Sequence, residues 1–125
     1  MVQTKTVIGE YNNKHRIEKY VENTYNINMG ELSFVWDEEK NQGNIRKHKV
    51  SFEEASTVFY DENAILFDDP DHSVGENRFL IIGISRTDKL IIVSHCYRDG
   101  DDVIRIISAR PAEKSEKDYY NEQFM

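Results

Sequence analysis

Two arginines lie in a short apolar stretch near the end of this sequence. Arg105 and Arg110 belong to residues 104–110, and the rest of that stretch is β-branched or small, which is typical of a β-strand. A guanidinium group in a buried strand must be paired, because an unpaired buried charge costs several kcal/mol. One interpretation is structural pairing with nearby acidic residues. The other is a bound anion, and a phosphate fits the guanidinium fork best.

The composition predicts one soluble domain. The chain has 125 residues, with 38% hydrophobic and 31% charged residues, which is polar but sufficient for a core. The single cysteine, Cys96, excludes an internal disulfide and suits a reducing compartment. The sequence contains no apolar run long enough to span a membrane and no signal peptide at its start. We therefore expect a cytoplasmic protein with no membrane association.

The net charge of −7 disfavours nucleic-acid binding through the overall electrostatic field. Residues 1–30 hold four basic and three acidic residues, so residues 31–125 hold twelve against twenty, a net charge of −8. A nucleic-acid role would need a local basic cluster. An equally simple interpretation is that the acidic residues face a basic protein partner.

The chain divides into a polar N-terminal extension, residues 1–30, and a domain over residues 31–125. The extension has one short helical pattern, from Ile17 to Tyr25, and a break at residues 26–30; we expect it to be poorly anchored. In the domain, a strand at residues 32–36 precedes a helix capped by Asp37, and Ser51 starts a second helix.

The second half of the domain has strand periodicity. Strands are predicted at residues 64–67, 78–85, 90–97 and 103–110, and Pro111 suits the first turn of a last helix. Short polar connections between the last three strands require antiparallel neighbours. The predicted fold class is α+β, a curved antiparallel meander sheet with two N-terminal helices packed on one face and a C-terminal helix. No residue spacing indicates a metal site or a cofactor-binding loop.

Four segments of the sequence together form a recognisable pattern: residues 34–40 (FVWDEEK), 44–55 (NIRKHKVSFEEA), 76–79 (ENRF) followed by Ile82-Gly83, and 105–110 (RIISAR). In this order they resemble the BrnT family, toxins of type II toxin–antitoxin modules. The resemblance covers about residues 33–120. It implies a RelE-like ribonuclease fold and RNA cleavage that arrests translation. It also implies a BrnA-like antitoxin with a ribbon-helix-helix DNA-binding part, a heterotetramer, and contact with DNA only through the antitoxin.

Metal-independent cleavage of RNA uses the neighbouring 2′-hydroxyl as the nucleophile. A base removes its proton, cations stabilise the pentavalent phosphate, and an acid protonates the leaving oxygen. We expect Arg78 and Arg105 to stabilise the phosphate, with Arg110 as a second choice. Regular alternation along a strand places Arg105 and Arg110 on opposite faces, which would keep both from entering one site.

The candidates for base or acid are His95 and Glu76, in competition with the pair Lys47 and His48. His95 lies in an apolar run, where a core histidine is the more common outcome, and Glu76 could simply hold Arg78. Lys47 and His48 could touch RNA phosphates or simply occupy a solvated helix end. Tyr97 could stack on a base or pack within the fold.

Two functions therefore compete. The first is a ribonuclease toxin held inactive by an antitoxin. The second is a non-enzymatic module with the toxin fold, which only binds a basic protein partner through its acidic surface. A concave basic patch that contains at least two of Arg78, Arg105 and Arg110 without a carboxylate partner would favour the enzyme. Arginines that are each paired with an Asp or Glu would favour the binding module.

Overall fold

A six-stranded sheet forms the centre of the fold, which a computed structural model describes over residues 24–29, 32–72, 75–98 and 103–125. Helices pack on both faces of the sheet. Two short 3-10 helices, Val58–Tyr60 and Pro70–His72, lie in its connections. In chain order the elements are β1 (Thr24–Met29), β2 (Leu32–Asp37), α1 (Glu38–His48), α2 (Phe52–Thr57), β3 (Ile65–Asp68), β4 (Phe79–Ile84), β5 (Leu90–Arg98), β6 (Val103–Pro111) and α3 (Lys114–Glu122).

The first two helices begin at the predicted caps. The Asp37 carboxylate accepts a hydrogen bond of 2.9 Å from the backbone N–H of Glu39, and the Ser51 hydroxyl accepts one of 3.0 Å from that of Glu54. Each cap satisfies a backbone donor that has no partner within the helix. α1 ends at Lys49, which adopts a left-handed conformation with φ of 62°.

The sheet has the strand order β1-β2-β6-β5-β4-β3. Strands β3 to β6 form the predicted antiparallel meander, and β1 pairs antiparallel with β2. However, β2 pairs with β6 in parallel, through Phe34 with Ile104 and Val35 with Arg105, so the sheet is mixed. The connection between these two strands is most of the domain, and a connection of that length does not restrict strand direction. The predicted α+β class is confirmed.

The sheet buries apolar side chains on both faces. On the front face, α1 and α2 cover a core that includes Phe34, Trp36, Phe52 and Ile81. On the back face, α3 covers a smaller cluster that includes Ile82, Ile92 and Tyr120. The third helix therefore packs on the face opposite to the first two.

A β-bulge interrupts the pairing of β5 with β6. Ser94 pairs with Ser108 but His95 pairs with Ile106, so Ile107 is an extra residue on β6. One extra residue reverses the alternation of side chains beyond it. The prediction that Arg105 and Arg110 face opposite sides is therefore wrong, because Arg105 lies opposite Cys96 and Arg110 opposite Ile92, both on the back face.

Pro111 ends β6 instead of starting the last helix, which corrects the prediction. β2 pairs only with Ile104 and Arg105 of β6, so β6 has no neighbouring strand on that side at Pro111. The missing N–H of Pro111 therefore removes no hydrogen bond between strands. The ladder continues to Ala112, whose N–H donates to Leu90 over 2.9 Å. α3 begins after Glu113, which forms a capping box with Glu116.

Part of the predicted extension belongs to the sheet. Thr24–Met29 forms β1, and every residue of β1 has a partner in β2, so the predicted break is wrong for residues 26–29. The rest of residues 1–30, including most of the predicted helical pattern, lies outside the described residues.

Candidate functional site

Two arginines from strands β5 and β6, and one that directly precedes β4, lie on the back face of the sheet. Arg105 pairs directly with Cys96 in the β5–β6 ladder. Phe79 pairs with His95 in the β4–β5 ladder, so the preceding residue, Arg78, comes beside Cys96 by continuation of the register. We refer to Arg78, Arg98 and Arg105, together with Glu76, as the arginine cluster.

Arg98 is the member of this cluster that the sequence prediction missed. It lies two residues beyond Cys96 on β5 and pairs with Val103, so it is a diagonal neighbour of Arg105 on the same face. Burial is the main cause that raises the pKa of the Cys96 thiol, followed by the negative charge of Glu76, while the charges of Arg98 and Arg105 act in the opposite direction. Three charged groups, Glu76, Arg98 and Arg105, therefore act on one buried thiol.

The members of the cluster differ in their pairing. Arg78 Nε lies 3.7 Å from Glu76 Oε2, and both side chains are partly exposed. Arg98 and Arg105 are half-buried, and among the described residues neither forms an ion pair with a carboxylate. The Nε atom of Arg98 is buried without a hydrogen-bond partner. Because the chain has an excess of acidic residues, the lack of a carboxylate partner for Arg98 and Arg105 among the described residues favours an external anion.

Arg110 shares the back face with Arg105 but is engaged in a structural pair. Its Nη1 and Nη2 atoms donate to the two carboxylate oxygens of Glu116 over 2.9 and 2.8 Å. These bonds are the main cause that lowers the pKa of Glu116. Glu116 also accepts from the N–H of Glu113 at the start of α3, so the pair joins β6 to the last helix.

His95 and Tyr97 lie on the front face, away from the arginine cluster. His95 is fully buried against the rings of Phe59 and Phe79, and its Nε2 lies 3.3 Å from the Tyr97 hydroxyl. Burial lowers the pKa of His95 to about 4, so the ring is neutral at pH 7. This is the placement of a core histidine, and Tyr97 packs on Phe79 and His95.

Lys47 and His48 lie in the last turn of α1 and are not brought to the arginine cluster. Lys47 is exposed, while His48 lines a cleft of about 340 Å³ at the end of the sheet where β5 begins and β6 ends. The arginine cluster lies at the opposite end of β5. The predicted site residues therefore lie in four separate places. Arg78, Arg105 and Glu76 belong to the arginine cluster, and Arg110 pairs with Glu116. His95 and Tyr97 pack on the front face, and Lys47 and His48 lie at the end of α1.

The described residues contain no group of three or more His, Cys, Asp or Glu side chains placed to hold a metal ion. Within the same part of the chain, no helix has the length and apolar character needed to cross a membrane.

The fold and the arginine cluster define an α+β domain that presents guanidinium groups on one face of its sheet. Comparison with known proteins identifies its class. Residues 36–116 match the family described as ribonuclease toxin, BrnT, of type II toxin–antitoxin system. A 1.1 Å crystal structure of the Brucella abortus ribonuclease toxin BrnT is 27% identical, over 63% of this chain and 94% of that chain, with a TM-score of 0.49. No curated protein sequence matches the chain.

The family match includes more than half of the chain, together with every member of the arginine cluster. The chain belongs to the BrnT family of ribonuclease toxins of type II toxin–antitoxin systems. The resemblance found in the sequence is thereby confirmed.

Proposed function

We propose that this chain is an endoribonuclease whose arginine cluster binds and stabilises the phosphate at which RNA is cleaved. The observation that carries the proposal is the pair Arg98 and Arg105, two guanidinium groups on one face with no carboxylate partner among the described residues. Their fork of donors matches the oxygens of a phosphodiester and its pentavalent transition state.

The reaction in this proposal is an internal transfer within RNA. The 2′-oxygen attacks the adjacent phosphorus while the bond from phosphorus to the 5′-oxygen of the next nucleotide breaks. A base removes the proton from the 2′-hydroxyl, and the leaving 5′-oxygen takes a proton from water. The products are a 2′,3′-cyclic phosphate and a 5′-hydroxyl, and DNA is not a substrate because it lacks the nucleophile.

Glu76 is the base in this proposal. Of the four candidates for base or acid, only Glu76 belongs to the arginine cluster. Its carboxylate lies 3.7 Å from Arg78 Nε and is partly exposed to solvent. Arg78 orients the carboxylate, while Arg98 and Arg105 contact the phosphate. His95 is buried on the other face, and Lys47 and His48 lie at the other end of the sheet, where they contact the RNA backbone.

The biological setting follows from the family. A toxin of a type II system has an antitoxin partner and acts on RNA. We place the cleavage in the cytoplasm, where loss of RNA arrests translation. In this proposal the antitoxin is BrnA-like, has a ribbon-helix-helix part that binds operator DNA, and forms a heterotetramer with the toxin by covering the arginine cluster. Growth arrest that persists with excess antitoxin would contradict this arrangement.

A binding module without activity is the competing function. It is supported by the net charge of −8 on residues 31–125 and by the pairing of two of the three predicted arginines, Arg78 with Glu76 and Arg110 with Glu116. Induced expression in a bacterial host separates the two, with growth and cellular RNA followed for the wild type and for Arg105→Ala. The matched control is Arg86→Ala, since Arg86 is an exposed arginine in the turn between β4 and β5.

The enzyme hypothesis predicts arrest and RNA loss for the wild type and Arg86→Ala, and relief of both by Arg105→Ala in a folded protein. End analysis of the fragments should find cyclic phosphate and 5′-hydroxyl termini. Normal growth and intact RNA with a folded, soluble wild type would instead support the binding module.

A further inference from the structure

A second positively charged surface lies at the end of the sheet opposite to the arginine cluster. The cleft of about 340 Å³ that contains His48 also contains Lys49 from the end of α1, Lys89 from the β4–β5 turn and Lys117 from α3. We refer to it as the lysine cleft. Three segments that are distant in the sequence therefore each contribute a lysine to the lining of one cavity.

The lysines of this cleft form no close ion pair. None of Lys49, Lys89 and Lys117 forms an ion pair with another of the described residues, although Lys89 interacts electrostatically with Glu54, and the lining contains one acidic residue, Asp88. In a chain of net charge −7, three lysines around one cleft produce a local positive charge that attracts an anion.

The position of Lys49 is held by the backbone rather than by side-chain pairing. Its N–H donates to the carbonyl of Ile45 over 2.9 Å, which ends α1 and fixes the direction of the next residues. The floor of the cleft is apolar, with Leu90, Ile91 and Pro111. An apolar floor beside ammonium groups suits a nucleotide, whose sugar and base contact the floor while its phosphate contacts the lysines.

We propose that the lysine cleft binds the backbone of the same RNA, several nucleotides away from the phosphate that is cleaved. This inference rests on the proposed ribonuclease function and names a second contact surface for its substrate. β5 connects the two surfaces, because Leu90 lines the cleft and Arg98 belongs to the arginine cluster. At the usual rise of a strand, their separation along β5 is about 26 Å. Only an RNA longer than a dinucleotide can reach both.

The test uses the whole chain and two kinds of RNA. The cleft variant is Lys49→Gln, Lys89→Gln and Lys117→Gln together. The control variant is Lys40→Gln, Arg86→Gln and Lys114→Gln, which removes the same charge from exposed positions outside the cleft. Binding is measured over a range of salt concentrations with an RNA of roughly ten nucleotides that carries 2′-O-methyl groups and is not cleaved. Cleavage is measured with ordinary RNA of the same length and with a dinucleotide.

The cleft variant should weaken binding of the longer RNA about tenfold or more and reduce the salt slope by about 2, whereas the control should bind like the wild type. The cleft variant should cleave the dinucleotide at the wild-type rate and the longer RNA more slowly. Equal binding by wild type and cleft variant would overturn the inference, and so would equal losses in cleft and control variants. If the wild type cleaves no RNA but the cleft variant alone loses binding, the cleft proposal stands and the ribonuclease proposal fails.

Discussion

The side-chain amide of Asn44 bonds both backbone groups of Ala109. Its Nδ2 donates to the Ala109 carbonyl over 2.8 Å, and its Oδ1 accepts from the Ala109 N–H over 3.1 Å. At this point β6 has no strand on its β2 side, since pairing with β2 involves only Ile104 and Arg105. Asn44 therefore takes the place of a neighbouring strand next to the bulge, and α1 stabilises the part of β6 that carries Arg110.

Asn44→Ala should lower the free energy of unfolding by about 2 kcal/mol or more, because it leaves buried backbone groups of Ala109 and Val50 without partners. Urea unfolding followed by circular dichroism measures this change. Gln42→Ala, at an exposed position of the same helix, should change stability by no more than about 0.5 kcal/mol. Equal stability of the two variants would show that the Asn44 contacts contribute little.

Arg105→Ala and Arg98→Ala should each reduce RNA cleavage about 100-fold or more, because each removes a donor to the charged transition state. Arg98→Ala should lower stability by no more than about 1 kcal/mol, since its Nε atom lacks a hydrogen-bond partner and a thiol such as that of Cys96 forms only a weak hydrogen bond. Single-turnover cleavage and urea unfolding give the two quantities. Arg86→Ala should leave both unchanged; wild-type cleavage by Arg98→Ala would remove Arg98 from the proposed site.

Glu116→Gln should destabilise the protein by about 1 kcal/mol at pH 7, since the pair with Arg110 is bidentate but partly exposed to solvent. The folded protein lowers the pKa of Glu116, so the carboxylate stabilises the fold above the usual pKa of a glutamate. This contribution is lost as the pH falls through the lowered pKa. The stability difference between wild type and variant should therefore shrink as the pH falls. RNA cleavage per folded molecule should be the same in both proteins. A stability difference that does not change with pH would exclude an ionic contribution.

His95 should make the stability of the wild type depend on pH. Its pKa is lowered from 6.5 to about 4, so unfolding takes up a proton between these values. Stability is then greatest above pH 6.5 and falls as the pH decreases towards 4, by an amount on the order of 3 kcal/mol. His95→Gln should flatten this dependence. A catalytic role would instead appear as loss of cleavage in a variant whose stability profile is unchanged.

The two glycines Gly83 and Gly43 should respond oppositely to alanine. A Cβ at Gly83 would lie 2.9 Å from Val58 Cγ1 and 3.1 Å from both Ala64 Cβ and Asp61 Oδ2, so Gly83→Ala should destabilise by about 2 kcal/mol. At Gly43, inside α1, the nearest atom is 3.8 Å away and belongs to a flexible side chain, so Gly43→Ala should stabilise by about 0.5 kcal/mol. Thermal unfolding measures both, and a stable Gly83→Ala protein would contradict the close packing of β4 on the 3-10 helix at Val58.

Local features of this chain could be predicted from its sequence. Asp37 and Ser51 start their helices because a cap involves only residues two or three positions away. The antiparallel pairing of β4, β5 and β6 follows from short connections, and the α+β class follows from the change of periodicity after α2. The motifs of the BrnT family are likewise contained in the sequence, as the match over residues 36–116 confirms.

Other features depend on contacts between distant residues. The parallel pairing of β2 with β6 and the extra residue at Ile107 arise from strand pairing, to which no local pattern corresponds. The bulge decides which side chains share a face, and so it places Arg105 beside Cys96 and on the side of Arg110. Only the tertiary structure adds Arg98 to the cluster and buries His95 on the opposite face, because the same alternating sequence permits either face until the register is set.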